Sequence, residues 1–237
     1  MNAPFSSEQF FGVFARYNTA VWPAQLGLLA LALVILAATV WGGRSSARVV
    51  YGGLALLWAW CGAVYHLVFF ARINPMAYGF AALFLAQGAL FGVAAARAGG
   101  ESMVLGLDGR GIMGAGLLAY ALLVYPLLGA ALGQVYPAAP SFGLPCPLTI
   151  FTFGLLLLAA GRVSIHLLLI PLAWSAVGTM AALGWRVLED LGLPVAALCG
   201  TAIVLIHNGR VRASAPGGTR AGVGETPAPP EGIRRLQ

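Results

Sequence analysis

The sequence predicts an all-α integral membrane protein of seven transmembrane helices, preceded by a short N-terminal interfacial helix. Three observations lead there. Of the 237 residues, 60% are hydrophobic and only 8% charged, whereas a soluble domain carries about 25% charged residues. Apolar runs of about 20 residues, long enough to cross a hydrocarbon core of about 30 Å, recur along the chain. The 13 basic residues, all arginine, fall mostly at the ends of those runs. With no lysine in the chain, neither a retinal Schiff base nor a Walker phosphate loop can be built.

The first unit is 1–20. Phe5, Ser6, Gln9 and Phe10 occupy the N′, N-cap, N3 and N4 positions of a capping box with a hydrophobic staple. Phe10, Val13, Phe14 and Tyr17 follow at helical spacing, which predicts an amphipathic helix over 6–18 lying in the outer interface. Trp22-Pro23 then turns the chain into the membrane. A basic stretch leading into an apolar core is missing from these residues, so they do not read as a cleavable signal.

The second unit, 21–208, is the transmembrane bundle. Its apolar stretches are 21–42, 48–71, 76–98, 111–133, 147–161, 165–185 and 191–208. The fifth is the shortest; as a re-entrant segment it would leave six spans and both termini on one side. Under the seven-span order, Arg16, Arg72 and Arg186 share the side of the N-terminus. The other side takes Arg44, Arg48, Arg97, Arg110, Arg162, Arg210, Arg212, Arg220, Arg234 and Arg235. Arginine excess marks the cytoplasmic face, so the N-terminus is expected outside and the C-terminus inside. Arginines scattered over short loops argue against nucleic-acid binding; the expected surroundings are the lipid bilayer, with further copies or other membrane subunits as candidate partners. The third unit, 209–237, is assigned to a cytoplasmic tail, disordered over its Gly-, Pro-, Ala- and Arg-rich part from 213 onward.

The unusual residues collect on the outer side. The connection 134–147 holds Pro137, Pro140, Pro145 and Pro147 and no charge. Proline fixes φ and restricts its predecessor, so this loop is stiff and extended, a lid or a structural cap. His66, Asn74, Tyr136, Cys146, Thr149 and Thr152 lie at or near that level and are the expected ligand-binding residues of an outward-facing polar pocket. An unpaired polar group in hydrocarbon costs several kcal/mol, although Gln, Thr and Tyr side chains also tie helices together without any ligand. Gln87, Tyr120 and Tyr125 belong to that second group as readily as to the first. Gly88–Gly92 and Gly129–Gly133 are small-xxx-small spacings that let helices approach closely.

Most chemistry is excluded or unsupported. His66 and His166 differ in depth by roughly 20 Å, too far to share a haem. His166 and His207 share a cytoplasmic level and read as solvated. Among Cys61, Cys146 and Cys199 there is no CxxC; Cys146, between two prolines, could offer a thiolate to a soft metal outside the cytoplasm. Neither HExxH nor GxSxG occurs, and the spans show no carboxylate of a proton or sodium path. Glu189 and Asp190 flank the outer end of the sixth span, where Arg186 is placed to pair with Asp190 at i,i+4 as a solvated pair. Nothing here indicates an enzyme or names a cofactor or metal.

Three strings carry a resemblance: Phe11 to Asn18 with Val21 to Gln25, Tyr65 to Pro75, and Pro145 to Gly154. In that order they resemble a bacterial multi-pass membrane family catalogued only as a domain of unknown function. The resemblance covers about 5–205, implies a bacterial inner-membrane location, and lends no catalytic residue, cofactor or partner. The leading expectation is therefore an inner-membrane protein that binds or passes a small molecule or ion at an outward-facing pocket. A non-catalytic subunit of a larger membrane complex and a metal or redox site at Cys146 are the alternatives.

Overall fold

The computed structural model describes residues 5–214, and its regular elements are helical. In chain order they are α1 (Ser7–Val21), α2 (Ala24–Trp41), α3 (Ser46–Trp60), α4 (Ala77–Arg97), α5 (Gly109–Ala119), α6 (Tyr125–Ala131), α7 (Pro145–Leu156), α8 (His166–Trp185) and α9 (Gly192–Ala213). A π-helical segment, Cys61–Phe69, continues α3, and a second, Tyr120–Val124, joins α5 to α6. Six of the resulting rods are long and apolar enough to cross a membrane. Their outward faces carry exposed leucines, among them Leu33, Leu56, Leu83, Leu127, Leu183 and Leu198, which is the surface lipid requires.

The start of α1 follows its capping chemistry. Ser6 Oγ accepts from Gln9 N at 3.2 Å, and Gln9 Oε1 accepts from Ser6 N at 2.9 Å. Phe5 stacks on Phe10 with ring centroids 6.0 Å apart. The helix reaches Val21, three residues beyond 18, and its apolar face is covered by protein: Phe14 and Tyr17 pack on Tyr65, and Phe10 on Phe70 and Trp185.

The fifth apolar stretch differs from a full-length span. Its helix, α7, has 12 residues, about 18 Å at 1.5 Å per residue, and is enclosed by α3, α5, α8 and α9. The chain from Leu157 to Val163 is irregular, and irregular backbone at membrane depth must find partners inside the protein. It does. Val104 N donates to Leu158 O at 3.0 Å, Ala160 N to Ser102 O at 3.0 Å, and Arg110 to Ala159 O. Val163 N donates to Asn208 Oδ1 at 2.9 Å, and Asn208 Nδ2 returns a bond to Val163 O at 2.8 Å. The segment thus runs from the end of the bundle holding 134–144 to the end holding the α4–α5 connection.

That second end is rich in arginine. Among the described residues it carries Arg44, Arg48, Arg97, Arg110, Arg162, Arg210 and Arg212, with Arg48 Nη2 donating to Ala98 O at 3.1 Å. The opposite end holds Arg16 and Arg72 beside each other and Arg186 beside Gln134. The last helix extends to Ala213, so 209–213, assigned to the tail from sequence, is helical; the rest of that tail, 215–237, lies outside the described residues.

Close helix contact fixes α3 against α4. A Cβ on Gly88 would stand 3.0 Å from Ala55 O, and one on Gly62 would stand 3.1 Å from Ala81 O, whereas Gly92 faces open space. Trp58, fully buried, packs on Phe84 at 4.4 Å and donates from Nε1 to Thr152 Oγ1 at 2.9 Å, tying α3 to α7.

Candidate functional site

The end opposite the arginine-rich one is organised around Asn18, which is completely buried near the C-terminus of α1. Its Nδ2 donates to Pro137 O at 2.7 Å and Ala139 O at 2.8 Å, while its Oδ1 accepts from Gln25 Nε2 at 2.9 Å and Ser141 Oγ at 2.7 Å. One amide therefore fastens the proline-rich connection to α1 and α2. This held loop supplies Pro140 and Leu144 to a cavity of about 450 Å³, which α1, α8 and the turn before α9 complete.

Rings make up much of the cavity wall: Phe5, Phe10, Phe80, Trp174 and Trp185, together with Tyr65 and Phe70. The two π segments add Tyr65, Phe70 and Tyr125 to it. An α-helix turns 100° per residue, so side chains five apart diverge by about 140°; a π segment, which closes i→i+5, realigns them. Tyr65 and Phe70 are five apart across Cys61–Phe69 and stack at 5.7 Å. Tyr120 and Tyr125 are five apart across Tyr120–Val124, and their rings lie at 6.4 Å.

Both of those tyrosines address the turn Leu188–Leu191. Tyr120 Oη donates to Glu189 O at 2.7 Å, and Tyr125 Oη donates to Asp190 Oδ1. Asp190 is 2% exposed, lines the cavity, and sits beside the Cys146 thiol. Glu189 is 0% exposed, faces Gly129 and Gln134, and keeps Oε1 unpartnered. The solvated Arg186–Asp190 pair expected from spacing does not form. Arg186 takes the left-handed conformation that ends α8, at φ 58°, which breaks the i,i+4 register and leaves the guanidinium exposed while the acids turn inward. The carboxylates that sequence reading left outside the bundle are thus buried in it, with neutral partners.

Of the six residues singled out from sequence, Asn74 and Cys146 line the cavity and four do not. Asn74 Oδ1 is occupied by Met76 N at 3.0 Å. Tyr136 is exposed, its hydroxyl 3.4 Å from Asn18 O. Thr149 and Thr152 are buried and donate back to Pro145 O at 2.7 Å and Leu148 O at 2.8 Å. His66 is fully buried in a nest of rings, 4.6 Å from Phe84 and 5.2 Å from Trp174, and both ring nitrogens lack a partner. No group of three or more His, Cys, Asp and Glu suited to a metal occurs among the described residues.

Sequence reading leaves Tyr125 as either a pocket residue or an interhelical tie, assigns Asp190 to a solvated pair, and singles out neither Trp174 nor the ring wall. The available signal was the five-residue spacing of Tyr120 and Tyr125 and an acidic pair set directly between Leu188 and Leu191, neither of which follows helical or strand periodicity. Comparison with known proteins gives one result at family level: the model described as "Family of unknown function (DUF6064)" matches residues 7–215. No curated protein and no solved structure matches the chain.

Proposed function

Because the chain belongs to DUF6064, a family of unknown function, its activity has to be read from its own residues, and we propose that it is a bacterial inner-membrane protein binding a small, mostly apolar molecule with one polar end. The molecule occupies the cavity at the end opposite the arginine-rich one. The arginine excess at the other end supports a cytoplasmic C-terminus, and with it a cavity that opens outside the cytoplasm. The main support is the combination of scale and lining. About 450 Å³ falls within the 300–1,000 Å³ of small-molecule sites, which are apolar with a few placed polar groups. Here those groups are Asp190, Tyr125, Cys146 and Asn74.

The same arrangement explains the stiff loop: Asn18 holds it over the site, so the cavity is formed before a ligand arrives. Purified protein in maltoside, titrated with the apolar fluorophore 1-aminoanthracene, tests the reading. Saturable binding that disappears in Ala181→Phe, which places a ring in the cavity, is the expected result. Equal binding by a variant with unchanged thermal stability would refute it.

A further inference from the structure

Resting on that reading, we infer that the polar end of the ligand is an organic ammonium ion, held by the Asp190 carboxylate and the ring faces around it. Asp190 is almost wholly enclosed, yet its hydrogen-bond partner is the neutral Tyr125 hydroxyl, with the Cys146 thiol beside it. Among the described residues no arginine reaches it: Arg186 is exposed, while Arg16 and Arg72 lie in a separate hollow, Arg72 over the Phe69 ring at 5.8 Å. An enclosed carboxylate without a counter-charge is costly, and the space beside this one is the cavity itself.

The walls decide which cation fits. A calcium ion takes six to eight oxygen ligands and magnesium a near-octahedral set. The side-chain oxygens that meet here are those of the Asp190 carboxylate and the Tyr125 phenol, with Asn74 Oδ1 accepting from Met76 N, a poor set for either ion. What abounds instead is aromatic surface, with Phe5, Phe10, Phe80, Trp174 and Trp185 on one cavity. Ring faces attract cations, best those that shed water easily, and methylated ammonium groups are bound in such aromatic boxes. Trp174 adds a second requirement. It is 8% exposed, lines the cavity beside the Cys146 thiol, and its indole N–H has no nitrogen or oxygen partner, so a hydroxyl or ether oxygen on the ligand would satisfy it better than sulfur does.

Choline and 3,3-dimethyl-1-butanol provide the test, since they share shape and hydroxyl and differ in charge. Calorimetric titration of the full chain in maltoside should give choline at least tenfold tighter binding than the alcohol. Asp190→Asn, which keeps the shape and still accepts from Tyr125, should bring choline down to the level of the alcohol, a far larger loss than the alcohol itself shows. Equal affinities in the natural protein would overturn the ammonium inference while leaving the cavity reading intact. Failure of both compounds and of 1-aminoanthracene would remove the cavity reading as well. The two ligands are compared on the natural chain, so the result stands even if the variant does not fold. Repeating the titration in nanodiscs with and without phosphatidylcholine separates the sources: competition by the lipid assigns the ammonium to a headgroup, and unchanged affinity assigns it to a free cation.

Discussion

Replacing Asn18 by leucine should free the proline-rich connection and loosen the cavity together. The side chains share branching and heavy-atom count, so the change removes polarity and adds only the extra bulk of two methyl groups. Four hydrogen bonds go: two donated to Pro137 O and Ala139 O, and two accepted from Gln25 and Ser141. Each is worth about 0.5–1.5 kcal/mol net. Pro137 is exposed, so water can serve its carbonyl, and the expected loss is about 2–4 kcal/mol. At about 2–4 °C per kcal/mol for a chain of this size, the melting temperature should fall by roughly 5–15 °C. Asn18→Asp, which aims a carboxylate at those two carbonyl oxygens, should lose at least as much. Thermal melts in maltoside measure this; limited proteolysis within 134–141 and 1-aminoanthracene affinity report on the loop and the cavity. A melting temperature within about 2 °C of the natural protein, with the loop still resistant, would refute the reasoning.

Two further outcomes follow from packing. Both ring nitrogens of His66 are buried without partners, and such groups cost about 1–3 kcal/mol, so His66→Phe should melt at the same temperature or higher and bind 1-aminoanthracene unchanged; a drop in melting temperature would show that the ring has a partner. Gly88→Ala should destabilise the α3–α4 contact, where its Cβ meets Ala55 O at 3.0 Å, while Gly92→Ala, which meets nothing, should be neutral; equal melting temperatures would contradict the close approach.

The local features of this fold were readable where short-range chemistry governs them. Ser6 with Gln9 and Phe5 with Phe10 announced the start of α1, and apolar length gave six long rods. The fifth stretch reads as a short span because its residues, Thr149 and Thr152 apart, are apolar. It is apolar because protein surrounds it on every side, and hydropathy does not distinguish a helix buried in protein from one facing lipid. The site was legible in part. Asn74 and Cys146 were reached because the loops concentrate at one end. His66, Thr149 and Thr152 lie at a similar level but face other helices, and level says nothing of rotation about a helix axis. Asp190 was misplaced for a specific reason: the i,i+4 argument assumes that the helix continues through Arg186, and it stops there. The π segments, which swing Tyr65 and Tyr125 toward the cavity, have no compositional mark.

Arsenocholine, which replaces the ammonium nitrogen of choline with arsenic, makes the cation visible by anomalous scattering. A crystal structure of the full chain grown with it should show one arsenic site inside the cavity, within about 6 Å of the centroids of the surrounding rings and against the Asp190 carboxyl. Arsenic found only on the outer surface, or none at a concentration that saturates choline binding, would contradict the account.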